Sequence, residues 1–234
     1  MSALLRFKWL LIDSPQGHRL GTLRSDVDSP QGHRLGTLRS AGVLYLFRMP
    51  THHSWGKREG QYFCTFTCWE WLPLIEETRL YDSIYAWMRL ITDKGCAITG
   101  YVLMPNHVHL LLFVPEGMSV NTILSNAKRF LAYEMVDRLK VSGNSGFLVR
   151  LTNALTSGDH GRGQKHRVWS TSSDIKACES EAFVVQKLDC IHANPVSGKW
   201  SLVEHAVDYP HSSAAFYVTG AEGPAPVQHY AELL

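Results

Sequence analysis

Residues 101–114 read Tyr-Val-Leu-Met-Pro-Asn-His-Val-His-Leu-Leu-Leu-Phe-Val, and the fold is read outward from them. The apolar, β-branched run that ends at Met104 predicts a buried strand, and Pro105-Asn106 breaks it before a second alternation begins at His107. Side chains at i and i+2 of a strand share a face, so His107 and His109 project together while Val108 points the other way. Two imidazoles on a rigid element suit a cation that takes neutral nitrogen donors and leaves positions for another ligand and a substrate. In a chain with 12 histidines the same pair is equally read as two packed or solvated strand residues.

On either side the pattern stays regular. Tyr62 to Trp69 is aromatic and β-branched with rough alternation, which predicts a strand. Glu76 to Thr92 places Leu80, Ile84, Trp87, Met88 and Ile91 at helical spacing. Ala97 to Leu103 and His107 to Val114 form a strand pair. Ser119 to Lys140 predicts a second helix with Ser119 as N-cap and Ile123, Ala127, Phe130 or Leu131, and Met135 inside. The order βαββα is that of a split βαβ unit. It predicts an α+β fold, a ferredoxin-like antiparallel sheet with helices on one face and the other face free for a ligand. Val141 to Arg167, rich in Gly, Ser, Asn and Thr, reads as a mobile loop or as a basic loop that grips a nucleic-acid strand. Order restarts near Val168-Trp169, and a last helix runs from Glu179 or Ser180 to Ala193, where Pro195 ends it. Val184, Leu188 and Ile191 mark its core stripe, whereas Gln186 or Lys187, Cys190 and Asn194 share another face.

Three blocks, in order, resemble one family. Met104-Pro-Asn-His-Val-His-Leu-Leu-Leu112, Gln186-Lys-Leu-Asp-Cys-Ile-His-Ala-Asn-Pro-Val196 and Asp208-Tyr-Pro-His-Ser-Ser213 are similar to the single-tyrosine HUH transposases, in particular the REP-associated tyrosine transposases. The resemblance spans roughly Gln61 to Tyr217. It implies a DNA transposase that binds single-stranded or hairpin DNA ends and cleaves and rejoins them through a covalent protein–DNA intermediate. His107, His109 and Asn194 would then be ligands of a divalent metal, Mg²⁺ or Mn²⁺, with nitrogen and oxygen donors and a phosphate completing the shell. The family's nucleophilic tyrosine falls at Cys190, where this sequence departs from the pattern. A thiol stops a phenyl ring short of the phenolic oxygen, and misplacement by even ~1 Å can cost about 100-fold. Tyr133 is a substitute nucleophile only if the fold brings it across. Lys128, Arg129 and Lys187 are the candidate DNA phosphate contacts, and Trp69, Trp71 and Trp169 are either core aromatics or platforms for unpaired bases.

Composition agrees without deciding. With 45% hydrophobic and 19% charged residues the chain is an ordinary globular protein, and a net charge of +2 is too weak a footprint to identify a nucleic-acid binder. Five cysteines without paired spacing argue against a disulfide framework and fit a reducing cytoplasm. No apolar run approaches the ~20 residues of a membrane span. Asp13 to Ser25 recurs unchanged as Asp28 to Ser40, so 1–58 reads as an extension carrying a tandem duplication, 59–219 as the domain and 220–234 as a tail. The functions in play are a DNA strand-transfer enzyme, a DNA-binding protein of the same fold that has lost cleavage through Cys190, and a metal-dependent phosphodiesterase without a covalent step. Monomer and homodimer are equally open.

Overall fold

The computed structural model describes residues 58–161, 163–198 and 200–233, so the duplicated segment lies outside the described residues. Four strands, β1 (Gly60–Cys68), β2 (Ala97–Met104), β3 (His107–Val114) and β4 (Trp169–Ala177), form one antiparallel sheet in the order β2-β3-β1-β4. That is the ferredoxin-like order expected from βαββα. The predicted strands β1, β2 and β3 are present, whereas β4 was legible only as a restart of order. Its sequence, WSTSSDIKA, has little apolar alternation because it is an edge strand held to β1 by backbone pairing.

The pleat divides the sheet cleanly. Cys64, Phe66, Val108, Leu110 and Leu112 enter one core, closed by α2 (Tyr81–Thr92) and α3 (Val120–Val141) through Ile84, Trp87, Met88, Ile123, Ala127, Leu131 and Met135. A short helix, α1 (Leu74–Glu77), precedes them. The segment expected as one helix from Glu76 is therefore two, broken where Arg79 takes a left-handed φ of 47°. Arg138 of α3 stabilises the break: its guanidinium donates to the carbonyls of Thr78 and Arg79 and pairs with Asp82 at 2.9 Å.

The second face is not bare. α6 (Glu181–Ala193) lays Val184, Leu188 and Ile191 against Phe63, Val102, Met104 and Leu111, so its stripe is inside as expected but on the sheet face opposite α2 and α3. Ser180 caps the helix by accepting from the backbone N–H of Phe183. The Asp208 to Ser213 block runs beside β2: Ser212 bridges Val102, Leu103 N–H donates to the His211 carbonyl, and the Tyr209 hydroxyl donates to the Leu103 carbonyl at 2.8 Å. Residues 220–233 fold back on the domain through α7 (Ala214–Thr219), with Gln228 N–H donating to Ile98 and Ala225 buried.

Residues 141–167, read as a loop, hold α4 (Ser145–Asn153) and α5 (Ser157–Gly161). Asn144 caps α4, Leu151 is fully buried, and the Asp159 carboxylate takes the Thr156 N–H and hydroxyl. The surrounding Gly, Ser, Asn and Thr concealed these turns: α4 sets a short apolar stripe, Phe147, Leu148 and Leu151, on the core, and α5 is ordered by the Thr156–Asp159 bonds.

Gly100 sits under α6 beside a register shift in β2, and a Cβ there would lie 2.7 Å from Leu188 Cδ1. Gly100→Val is expected to destabilise the domain by about 1–3 kcal/mol in urea unfolding, because overpacking outweighs the gain in β-propensity.

Candidate metal and phosphate site

His107 and His109 lie on the α6 face of β3, their rings 4.7 Å apart and steeply inclined. Each ring is oriented through Nδ1. His109 Nδ1 pairs with the Thr65 hydroxyl at 2.7 Å, Thr65 being its cross-strand neighbour on β1. His107 Nδ1 lies 2.7 Å from Asn106 Oδ1, and the Asn106 Nδ2 donates to the Trp71 carbonyl at 3.0 Å. With its amide nitrogen committed there, Asn106 presents an oxygen, so His107 Nδ1 carries the proton and Nε2 the lone pair. A partner that fixes the ring through Nδ1 is how proteins orient histidine ligands that coordinate through Nε2.

Asn194 follows α6 at the start of a 3₁₀ turn, Asn194–Val196. Its Nδ2 donates to the Cys190 carbonyl at 3.3 Å, which turns Oδ1 toward His107 Nε2 at 3.2 Å. The imidazole is neutral near pH 7: burial pushes His107 down to about 4, against the smaller opposing pull of the Asn194 oxygen. Burial, His107 and Lys187 push His109 down to about 3. A lone pair on Nε2 thus faces a carbonyl oxygen, two acceptors with no proton between them. A cation resolves that conflict, and about 3.0 Å is the spacing of adjacent ligands at 2.1 Å in an octahedron. The donors are neutral, and among the described residues no three of His, Cys, Asp or Glu converge. Such a set would hold a metal only weakly by itself.

The other expected site residues separate into two groups. Lys187 is close, its ammonium 5.1 Å from the Phe63 ring, which itself stacks on His109 at 5.4 Å. Cys190 is exposed one helical turn before Asn194. Lys128, Arg129 and the exposed Tyr133 lie on α3, across the sheet from the histidines. The Lys128 ammonium reaches the Ser170 carbonyl at 3.4 Å, and burial pushes it down to about 8. Helical spacing alone does not tell which side of a sheet a helix covers, and that decides against grouping Lys128, Arg129 and Tyr133 with the histidines. His192 turns away from them to the Ser213 hydroxyl at 2.9 Å.

Two residues of the site were not singled out from the sequence. Thr65 and Asn106 act through the histidines, and cross-strand register is the signal that finds Thr65. Of the three tryptophans that the sequence offered as core aromatics or stacking platforms, the structure separates Trp71 from Trp69 and Trp169. Trp169 is buried and donates from Nε1 to the Lys128 carbonyl at 2.7 Å; Trp69 is covered by the Arg167 guanidinium at 4.3 Å. Trp71 stays 58% exposed with its ring 5.7 Å from that of His107. It and Glu70 both have left-handed backbone, φ 57° and 49°, which costs about 1–3 kcal/mol per residue.

No family model matches the chain, and no curated protein is similar to it. Solved structures are. The REP-associated tyrosine transposase bound to a REP hairpin superposes with a TM-score of 0.50 at 17% identity, over 77% of this chain and 92% of that one. This protein shares its fold. A candidate transposase from Deinococcus radiodurans R1 aligns over 61% of this chain and 95% of its own at 16% identity, but its TM-score of 0.33 is too low to argue from. No helix among the described residues is long and apolar enough to cross a membrane.

The depressed histidines give a pH dependence with a definite sign. Unfolded histidines take up protons near pH 6.5, the folded His107 and His109 only near 4 and 3, so the unfolded state binds more protons in between. Stability is therefore expected to be full above about pH 6.5 and to fall as pH drops toward 4. Unfolding free energies across that range should show a shallower slope in His107→Gln/His109→Gln, with the residual slope coming in part from His192, also pushed down to about 4 by burial.

Proposed function

We propose that this protein binds hairpin or single-stranded DNA ends on the α6 face of its sheet, holding one phosphate at a divalent cation, Mg²⁺ or Mn²⁺, bound by His107, His109 and Asn194. The observation that carries this is the approach of His107 Nε2 to Asn194 Oδ1 at 3.2 Å, with His107 Nδ1 held by Asn106. A bound cation of this kind supplies Lewis acidity, polarising the phosphoryl oxygen toward in-line attack. The chain's own residues do the rest. Thr65 and Asn106 fix the two rings, and the Cys190 carbonyl fixes the Asn194 amide. Lys187, whose charge already bears on His109, adds a positive contact for the phosphate.

Covalent cleavage is the step this chain performs poorly. Attack requires a nucleophile at the helix position of Cys190, and a cysteine side chain falls short of it by a ring. The protein is thus read as a DNA-binding member of the transposase fold with an impaired nucleophile. One observation favours residual chemistry: Cys190 is an exposed, free thiol on the turn before Asn194. In that reading the thiolate would attack phosphorus, forming an S–P bond as the P–O bond to the departing strand breaks and the leaving oxygen takes a proton from water.

The deciding experiment incubates the purified protein with labelled hairpin DNA and Mn²⁺ and reads covalent adducts on a denaturing gel. Cys190→Tyr is expected to form an adduct and the natural protein not to. An adduct in the natural protein that disappears in Cys190→Ala overturns the impaired reading, and no DNA binding at all overturns the function proposed. Thr65→Val, which removes the partner of His109, is expected to weaken Mn²⁺ binding by about 10- to 100-fold in calorimetric titration.

A further inference from the structure

Trp71 is exposed without being loose. Its carbonyl is held by Asn106 Nδ2 at 3.0 Å, and Leu72 N–H donates to the Trp69 carbonyl at 3.0 Å. Glu70 is paired with Arg150 of α4 at 2.9 Å, and Trp69 is pinned under Arg167. Two consecutive left-handed residues bring the Trp71 ring to the edge of His107, yet most of the ring stays in water. An indole placed for stability would be inside, as Trp87 and Trp169 are. Strained backbone that recovers no burial is typical of a ligand clamp.

On the reading of the site given above, we infer that Trp71 is the stacking platform for the unpaired base adjoining the phosphate held by His107, His109 and Asn194. The ring lies against one of the residues proposed to hold that phosphate, so a nucleotide whose phosphate reaches His107 carries its base past the indole. Stacking on an aromatic face needs no particular base, because every base has a π-face. Trp71 therefore selects for an unpaired nucleotide at that position rather than for a sequence, and it gives the site a preference for DNA ends with a single-stranded extension over blunt hairpins. Asn106 links the two functions, since one amide orients His107 and holds the Trp71 carbonyl.

The test measures binding by fluorescence anisotropy with Mn²⁺, for the full chain, on a hairpin with a single-stranded extension, on the same hairpin made blunt, and on versions with one abasic site in the extension. Trp71→Ala is expected to weaken binding of the extended hairpin roughly 5- to 150-fold, the span that one stacked base contributes. Trp71→Phe should retain most of the affinity, and Trp71→Ala should weaken the extended hairpin several-fold more than the blunt one. The natural protein should lose affinity at one abasic position to a similar degree, and that loss should vanish in Trp71→Ala, since a shared contact is counted once. The abasic arm leaves the protein unmodified and so is independent of any folding defect. The inference is overturned if Trp71→Ala weakens blunt and extended hairpins alike, if it weakens neither, or if its effect simply adds to the abasic loss. Failure of the natural protein to bind either DNA would instead overturn the function proposed for the site, and this inference with it.

Discussion

The two-residue period of β3 is the constraint on which the rest of the structure depends. Val108, Leu110 and Leu112 must go to the helix side if α2 and α3 are to have a core, and this forces His107, His109 and Leu111 to the opposite face. The site and the hydrophobic core are therefore the two sides of one strand. A slip of one residue in register would bury both imidazoles under α2 and α3 and expose the leucines, so the energy of the core enforces the position of the histidines.

On the second face, α6 does two things at once. Its apolar stripe closes a smaller core over Phe63, Val102, Met104 and Leu111, and its C-terminal end delivers Asn194 to His107. The close approach depends on Gly100, whose missing side chain makes room for Leu188. The helix ends where it does because Pro195 cannot continue it, so the carboxamide of Asn194 occupies the first residue beyond the regular turns. The position of the Asn194 carboxamide is thus fixed by the apolar contact of Leu188 with the sheet and by a backbone stop at the next residue.

The site is built almost wholly from neutral groups. Burial keeps both imidazoles uncharged, Asn194 adds an amide oxygen, and Lys187 supplies positive charge nearby. A carboxylate in this set would bind a cation more firmly but would also repel a phosphate. On the function proposed, this neutral set would leave a bound cation's charge to the phosphate. In the same proposal Cys190 would keep the exposed helix surface without the reach that covalent attack requires.

The sequence by itself determined what depends on local period and spacing. These are the strands at Gly60–Cys68, Ala97–Met104 and His107–Val114, the buried stripes of the three long helices, the shared face of His107 and His109, and the departure at Cys190. Each follows from a repeat of 2 or 3.6 residues, or from the identity of one residue within a motif. The tertiary structure alone decided which helix covers which face of the sheet. That put α6 over the histidines and left Lys128, Arg129 and Tyr133 across the sheet, a matter of chain connectivity that no side-chain pattern encodes. It also decided that WSTSSDIKA is an edge strand and that residues 145–153 and 157–161 are helical, because pairing to β1, the Asn144 cap with a short stripe of Phe147, Leu148 and Leu151, and the Thr156–Asp159 bonds order segments whose overall composition is polar. Finally it singled out Trp71 from three nearby tryptophans, since exposure beside His107 results from a left-handed turn braced by Asn106 and Arg150, contacts that join residues 35 and 80 positions apart.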